Sequence, residues 1–174
     1  MNGRKKGKKG SLALKLDISK AYDRVKWNFL QGIMIKMGFP EFWVDRVMCC
    51  VTTSTFSILI NGKPYGHITP SRGLHQGDPL SPYFFLLCTK GVTSLLQRAE
   101  NERRIHGVSI CRQAPRITNL LFANDSVIFY QANQREVQEI VEILQVYAGA
   151  SRQCINMKKS SVFFSGNTPM EQKH

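Results

Sequence analysis

The sequence predicts an α+β protein in which helices pack on one face of an antiparallel sheet. Three observations carry that prediction. Apolar segments of strand length occur near residues 11–17, 117–130 and 154–164, far apart in the chain. Those strands alternate along the chain with stretches of helical period and one central hairpin. Two pairs of apolar runs are joined by short polar turns, at Asn61-Gly62 and at Asn124-Asp125, and hairpins of this kind make antiparallel neighbours.

Taken in order, residues 11–17 alternate, with Leu12, Leu14 and Leu16 on one face and Lys15 on the other. A helix is predicted from about Val25. Val25, Phe29, Leu30, Ile33, Met34 and Met37 recur at helical spacing, and Gly38 ends it. Pro40 opens a second helix at its first turn, with Phe42, Trp43, Val47, Met48 and Val51 as the expected buried stripe. Residues 56–60 and 65–68 form a hairpin about Asn61-Gly62. After a Gly/Pro loop, the apolar run 83–87 predicts the deeply buried start of a helix reaching about Arg98.

Residues 117–123 and 126–130 are strands with Asn124-Asp125 at the tip of their turn. A helix over 134–148 is predicted to hold Val137, Ile140, Val141 and Leu144 inside and Glu136, Glu139 and Glu142 outside. Two short segments, 154–157 and 161–164, complete the sheet. Residues 1–10 form a basic tail expected to be disordered, 11–167 the folded domain, and 168–174 a second disordered tail.

The chain has 174 residues, enough to bury a core, with a formal net charge of +12. Five of those charges fall in the first ten residues, which leaves +7 on the rest. Arg98, Arg103, Arg104, Arg112, Arg116, Lys158 and Lys159 make the body basic too, which fits a polyanionic partner and, from charge alone, equally a solvated basic surface. No run of about 18 apolar residues is present, so no membrane partner is expected. Five cysteines without CxxC or Cys/His zinc spacing predict buried thiols in a reducing, intracellular compartment.

Only five aspartates are present, and two are in costly places. Asp17 ends an apolar strand and Asp125 lies between two apolar strands. A carboxylate there needs a cation or hydrogen bonds. Two on neighbouring strands would make a hard-oxygen site suited to Mg²⁺ and phosphate. Read singly, each is better explained otherwise, Asp17 as a cap on the following turn and Asp125 as an ordinary turn residue.

The order of motifs decides between those readings. Leu16-Asp17-Ile18-Ser19-Lys20-Ala21-Tyr22-Asp23-Arg24-Val25 resembles the first palm motif of reverse transcriptases. Arg72-Gly73-Leu74-His75-Gln76-Gly77-Asp78-Pro79-Leu80-Ser81-Pro82 is similar to their second. Phe122-Ala123-Asn124-Asp125 stands where that family has Phe-Ala-Asp-Asp, and Ile155-Asn156-Met157-Lys158-Lys159-Ser160 resembles the Asn-x-x-Lys-Ser motif that follows. The four occur in family order between residues 11 and 167. The wording is most similar to non-LTR, LINE-type retrotransposon polymerases of plants.

The resemblance implies a polymerase palm lacking most of the fingers and thumb. It implies RNA-directed DNA synthesis: Mg²⁺-dependent nucleotidyl transfer from a deoxynucleoside triphosphate to a DNA primer 3′-hydroxyl on an RNA template. It implies two Mg²⁺ ions, held by Asp17, the Ile18 carbonyl and Asp125. Tyr22 would lie under the sugar of the incoming nucleotide, where a flat ring disfavours a 2′-hydroxyl. Gln76 and Gly77 would contact nucleotide and templating base. Lys159 would stand near the leaving pyrophosphate. Asp78 is instead expected to cap the helix that opens near Pro79. Residues 163–166 fall near the primer-gripping segment.

One departure bears on activity. Asn124 occupies a position of family Asp, and a neutral amide is a poor Mg²⁺ ligand, so impaired catalysis is expected, with weakened metal binding. The alternative is a catalytically inactive nucleic-acid-binding remnant or a pseudogene product without function. A nuclear location is expected if the chain acts within a retrotransposon.

Overall fold

The computed structural model describes residues 10–109, 111, 113–122 and 125–168. The elements run β1 (Ser11–Ser19), α1 (Trp27–Lys36), α2 (Glu41–Thr52), β2 (Phe56–Ile60), β3 (Lys63–Ile68), α3 (Ser81–Asn101), β4 (Asn119–Phe122), β5 (Asp125–Gln131), α4 (Gln134–Ser151), β6 (Cys154–Ile155) and β7 (Ser161–Phe164). The expectation of an antiparallel sheet with helices on one face is met.

β1 is the centre of the sheet because its alternation gives it one face to bury. Along one edge it pairs antiparallel with β5, from Ser11↔Gln131 to Asp17↔Asp125, and β4 continues the sheet beyond β5. β7 and β6 pair antiparallel with β1 as well, at Leu12–Lys15 and at Ile18–Ser19 respectively. Leu12 and Leu16 of β1, with Ile128 and Tyr130 of β5, face the helices. There they meet Val92, Leu96 and Ala99 of α3 and Ile140, Ile143, Leu144 and Tyr147 of α4. A second cluster joins Ile18, Ala21 and Val25 to Leu30 and Met34 of α1, Val44 and Val47 of α2, and Phe84, Phe85 and Cys88 of α3. Among the described residues no helix packs on the other side of the sheet, where Lys15, Asp17 and Asp125 are partly exposed.

Local signals acted as anticipated in several places. Asn61 and Gly62 both have positive φ, 50° and 78°, as a two-residue hairpin turn of the twist-matching kind requires. Phe39 N–H bonds back to the Met34 carbonyl and Gly38 N–H to that of Ile35, closing α1. Asn133 caps α4, its side-chain oxygen accepting from Glu136 N–H at 2.9 Å.

Other expectations are corrected. The first helix begins at Trp27, and Val25 is fully buried in the turn before it. Phe42 and Trp43 of α2 are exposed (64% and 45%); the helix turns Val44 inward in their place, while Val47, Met48 and Val51 pack on the core as expected. The start of α3 is not buried all round: Phe84 and Phe85 point inward while Tyr83 and Leu86 face out. Val137 and Val141 lie on the margin of the α4 interface rather than inside it. Glu136, expected outside, is 3% exposed, because its carboxylate turns back to accept from Gln131 N–H at 2.9 Å and His106 N–H at 3.0 Å. Only Cys88 among the cysteines is buried; Cys49, Cys50, Cys111 and Cys154 are exposed. Asp125 is not a turn tip. It opens β5 and is paired on both sides, with Phe122 and with Asp17. The two expected tails fall largely outside the described residues.

Candidate active site

Successive β-strand side chains alternate between faces, so Lys15 and Asp17 share the open side of β1. The β1–β5 register sets Asp125 directly opposite Asp17. Cα atoms so paired lie about 4.5–5.5 Å apart, and their side chains leave the sheet on the same face. Two carboxylates therefore stand together without a helix over them. The Lys15 ammonium lies 3.0 Å from Asp125 Oδ2, with the two side chains 43% and 41% exposed.

The backbone of Asp17 is held from the other edge. Its carbonyl accepts from Asn156 N–H at 2.8 Å, and its N–H donates to Ser160 Oγ at 3.3 Å. Ser160 in turn donates its hydroxyl to the Asn156 carbonyl at 2.8 Å, and the Asn156 side-chain oxygen accepts from Lys159 N–H at 3.3 Å. The physical content of the Asn-x-x-Lys-Ser pattern is thus a small knot. Asn156 and Ser160 fold the turn and fasten it to the first carboxylate strand, leaving Lys159 exposed beside that strand's end.

The loop after β1 forms a cleft. Tyr22 is half-buried, its ring stacked on Phe85 with centroids 4.9 Å apart at 26°. Its carbonyl accepts from Leu74 N–H at 2.9 Å, which ties the two palm-motif loops together. Gly73 has φ +93°, and an added Cβ would meet the Asp23 carbonyl oxygen at 2.9 Å, so both conformation and space demand glycine. The Trp27 indole N–H donates to the Gly73 carbonyl at 2.8 Å. Tyr22, His75, Gln76, Gly77, Asp78, Ser81 and Pro82 then line an open cleft of about 460 Å³. Asp78 is not the cap the sequence suggested: α3 opens at Ser81 with Leu80 as its N-cap, and Asp78 instead closes the turn before it, its Oδ1 accepting from Leu80 N–H at 2.9 Å.

Behind the cleft the chemistry is inert. Burial pushes the Cys88 thiol up to about 12, so it stays protonated and unreactive. Tyr147, whose hydroxyl donates to the Cys88 carbonyl, is raised by burial as well.

The structure thus brings Asp17 and Asp125 together and hangs the Lys159 turn from the Asp17 backbone. It groups Tyr22, Gln76 and Gly77 around one cleft. The Ile18 side chain is buried, and that residue pairs with Ile155 of β6. Asn124 lies outside the described residues. Sequence reasoning missed the Lys15–Asp125 pair and the role of Ser160. The signal for Lys15 was present in its position two residues before Asp17. Ser160 was marked by the Asn-x-x-Lys-Ser motif, but its bond to the Asp17 backbone shows only through the non-local pairing. Two basic residues counted toward a polyanion surface are engaged elsewhere. Arg98 and Arg104 each lie 2.8 Å from Glu102, and Arg104 also pairs with Glu139.

The donor set fits a divalent ion held by one or two carboxylates together with substrate oxygens, the usual manner for Mg²⁺. Among the described residues, no cluster of three or more His, Cys, Asp or Glu side chains could hold a metal ion by itself.

An antiparallel sheet backed by helices, with two carboxylates paired across its central strands, is the architecture of a polymerase palm. The chain belongs to the reverse transcriptase family: residues 2–173 match the family described as reverse transcriptase (RNA-dependent DNA polymerase). Members of that family generally use divalent metal ions. The chain is 38% identical over 115 residues to an uncharacterized mitochondrial protein of Arabidopsis thaliana, covering 64% of this chain and 90% of that one. It is 31% identical over 113 residues to a Pol polyprotein of the R2 retrotransposable element of Popillia japonica, covering 65% of this chain and 18% of the relative. Among solved structures it is similar to apo telomerase from Candida tropicalis truncated from its C-terminal domain. That similarity has a TM-score of 0.67 at 14% identity and covers 93% of this chain and 32% of the telomerase. The chain therefore spans a minor part of the R2 relative and of the telomerase, and the fold is that of a reverse transcriptase palm fragment.

Proposed function

We propose that this palm supports RNA-directed DNA synthesis of the non-LTR retrotransposon kind, and that Asn124 leaves it catalytically impaired. The observation that carries the reading is the Asp17↔Asp125 register on the open face of the sheet. In the reaction, a primer 3′-oxygen forms a bond to the α-phosphorus of a deoxynucleoside triphosphate. The bond to the pyrophosphate breaks, and the hydroxyl proton is lost. Asp17 and Asp125, with the Ile18 carbonyl, would hold two Mg²⁺ ions. Such ions, when bound, lower the pKa of the attacking hydroxyl and offset charge on the phosphoryl oxygens.

The chain's own groups do the positioning. Tyr22, braced by Phe85, presents a flat edge to the sugar and disfavours a 2′-hydroxyl. Gln76 and Gly77 border the same cleft and would contact nucleotide and templating base. Lys159 offers a cation to the leaving pyrophosphate. Telomerase from Candida tropicalis has been solved in complex with a fragment of telomeric RNA, and that structure is similar to this chain with a TM-score of 0.68. The likeness supports an RNA template as partner here, with a DNA primer as the second.

Asn124 favours one competing reading, a nucleic-acid-binding palm without catalysis. Primer extension on an RNA template with Mg²⁺ separates the two. Removing one transition-state contact of this kind commonly costs about 10²–10³ in rate, so Asn124→Asp is expected to extend primer at least ~10²-fold faster than the natural chain. Equal rates for the two would contradict the assigned role of position 124. Template binding that falls with salt, with no extension by either protein, would support the non-catalytic reading.

A further inference from the structure

Lys15 has no part in the roles described above, yet among the described residues its ammonium is the cation ion-paired with Asp125, 3.0 Å from Oδ2. It sits two residues before Asp17 on the same strand, so its side chain leaves the sheet on the same face as both acids. Its register partner is Val127, and Ala13 and Phe129 follow along that face, so apolar side chains flank it on the side away from Asp17. Among the described residues Asp125 is the one carboxylate with which it pairs. Among the described residues, the local balance is therefore two carboxylates and one cation.

We propose that Lys15 is a built-in competitor for the metal site. It holds Asp125 in the absence of a divalent ion and must give up that carboxylate when one binds. An ammonium and a dication within about 3 Å of one oxygen repel each other strongly even at surface dielectric. The two states are therefore mutually exclusive, and Lys15 sets the metal concentration at which the site fills. The inference rests on the reading that Asp17 and Asp125 bind a divalent ion.

Mn²⁺ binding to the chain, followed through the electron paramagnetic resonance signal of free Mn²⁺ at low salt, tests it without any need for activity. An exposed ion pair shifts a competing equilibrium by roughly two- to fivefold. Lys15→Met is expected to bind Mn²⁺ tighter by that factor. Lys15→Arg keeps the charge and is expected to stay close to the natural chain. The gap between Met and natural chain is expected to shrink in high KCl. Asp17→Asn in the Lys15→Met background is expected to lose the site. A Lys15→Met protein that melts normally but binds Mn²⁺ no tighter would overturn the role of Lys15, even where Asp17→Asn abolishes binding. Binding that survives both Asp17→Asn and Asp125→Asn would instead remove the carboxylate site itself, and the competitor with it.

Discussion

Gly73 shows how narrow the tolerance around the cleft is. Its φ of +93° and the 2.9 Å approach of an added Cβ to the Asp23 carbonyl oxygen act together. Gly73→Ala is expected to lower stability by about 1–3 kcal/mol in urea titration. Tyr130 gives a pH prediction. Burial, with Glu136 adding, pushes its phenol up to about 12 from an ordinary value near 10. A raised folded-state pKa adds stability that is full below about pH 10 and lost as pH climbs toward 12. Unfolding midpoints measured from pH 9 to 12 should fall steeply in the natural chain and less steeply in Tyr130→Phe. The two acids were legible in the sequence because each sits at an apolar strand, where a charge is out of place. The Lys15 contact was not legible as a partner, because alternation tells which face a side chain takes but not what waits across the strand.

Glu136 makes the same point for the elements. A helical wheel puts it outside, since it lies on the polar side of α4. Its first-turn position matters more, because a carboxylate there can reach back to unpaired donors. Gln131 N–H, His106 N–H and the Asn133 amide all donate to it, and His106 Nδ1 lies 2.9 Å away. Glu136→Gln leaves one acceptor oxygen for these donors and should cost roughly 2–3 kcal/mol in urea titration. A change under about 0.5 kcal/mol would mean that water replaces the carboxylate freely. Element existence was read well for β1, the Asn61-Gly62 hairpin and α4, whose periods or turn residues are strong. The faces of α2 and the start of α3 were read less well. Apolar runs such as 83–87 do not say which members turn inward, and only packing of Phe84 and Phe85 against the β1–α1 region settles it.

At the scale of the whole molecule, one face of the sheet is covered and the other carries the chemistry. Periodicity predicted that division, but the strand order did not follow from it. β1 takes β5 on one edge and β6 with β7 on the other, pairings that join residues up to 152 positions apart, as Leu12 and Phe164 do. Contacts of that range leave no mark on a local pattern; the family motifs supplied what periodicity could not. The account turns on whether Asp17 and Asp125 share one cation. Anomalous scattering from a crystal of the chain soaked in Mn²⁺ reads this directly. At least one peak within coordination distance, roughly 2.1 Å, of oxygens from both carboxylates is the predicted result. A peak bound to neither, with the two carboxylates aimed away from each other, would contradict it.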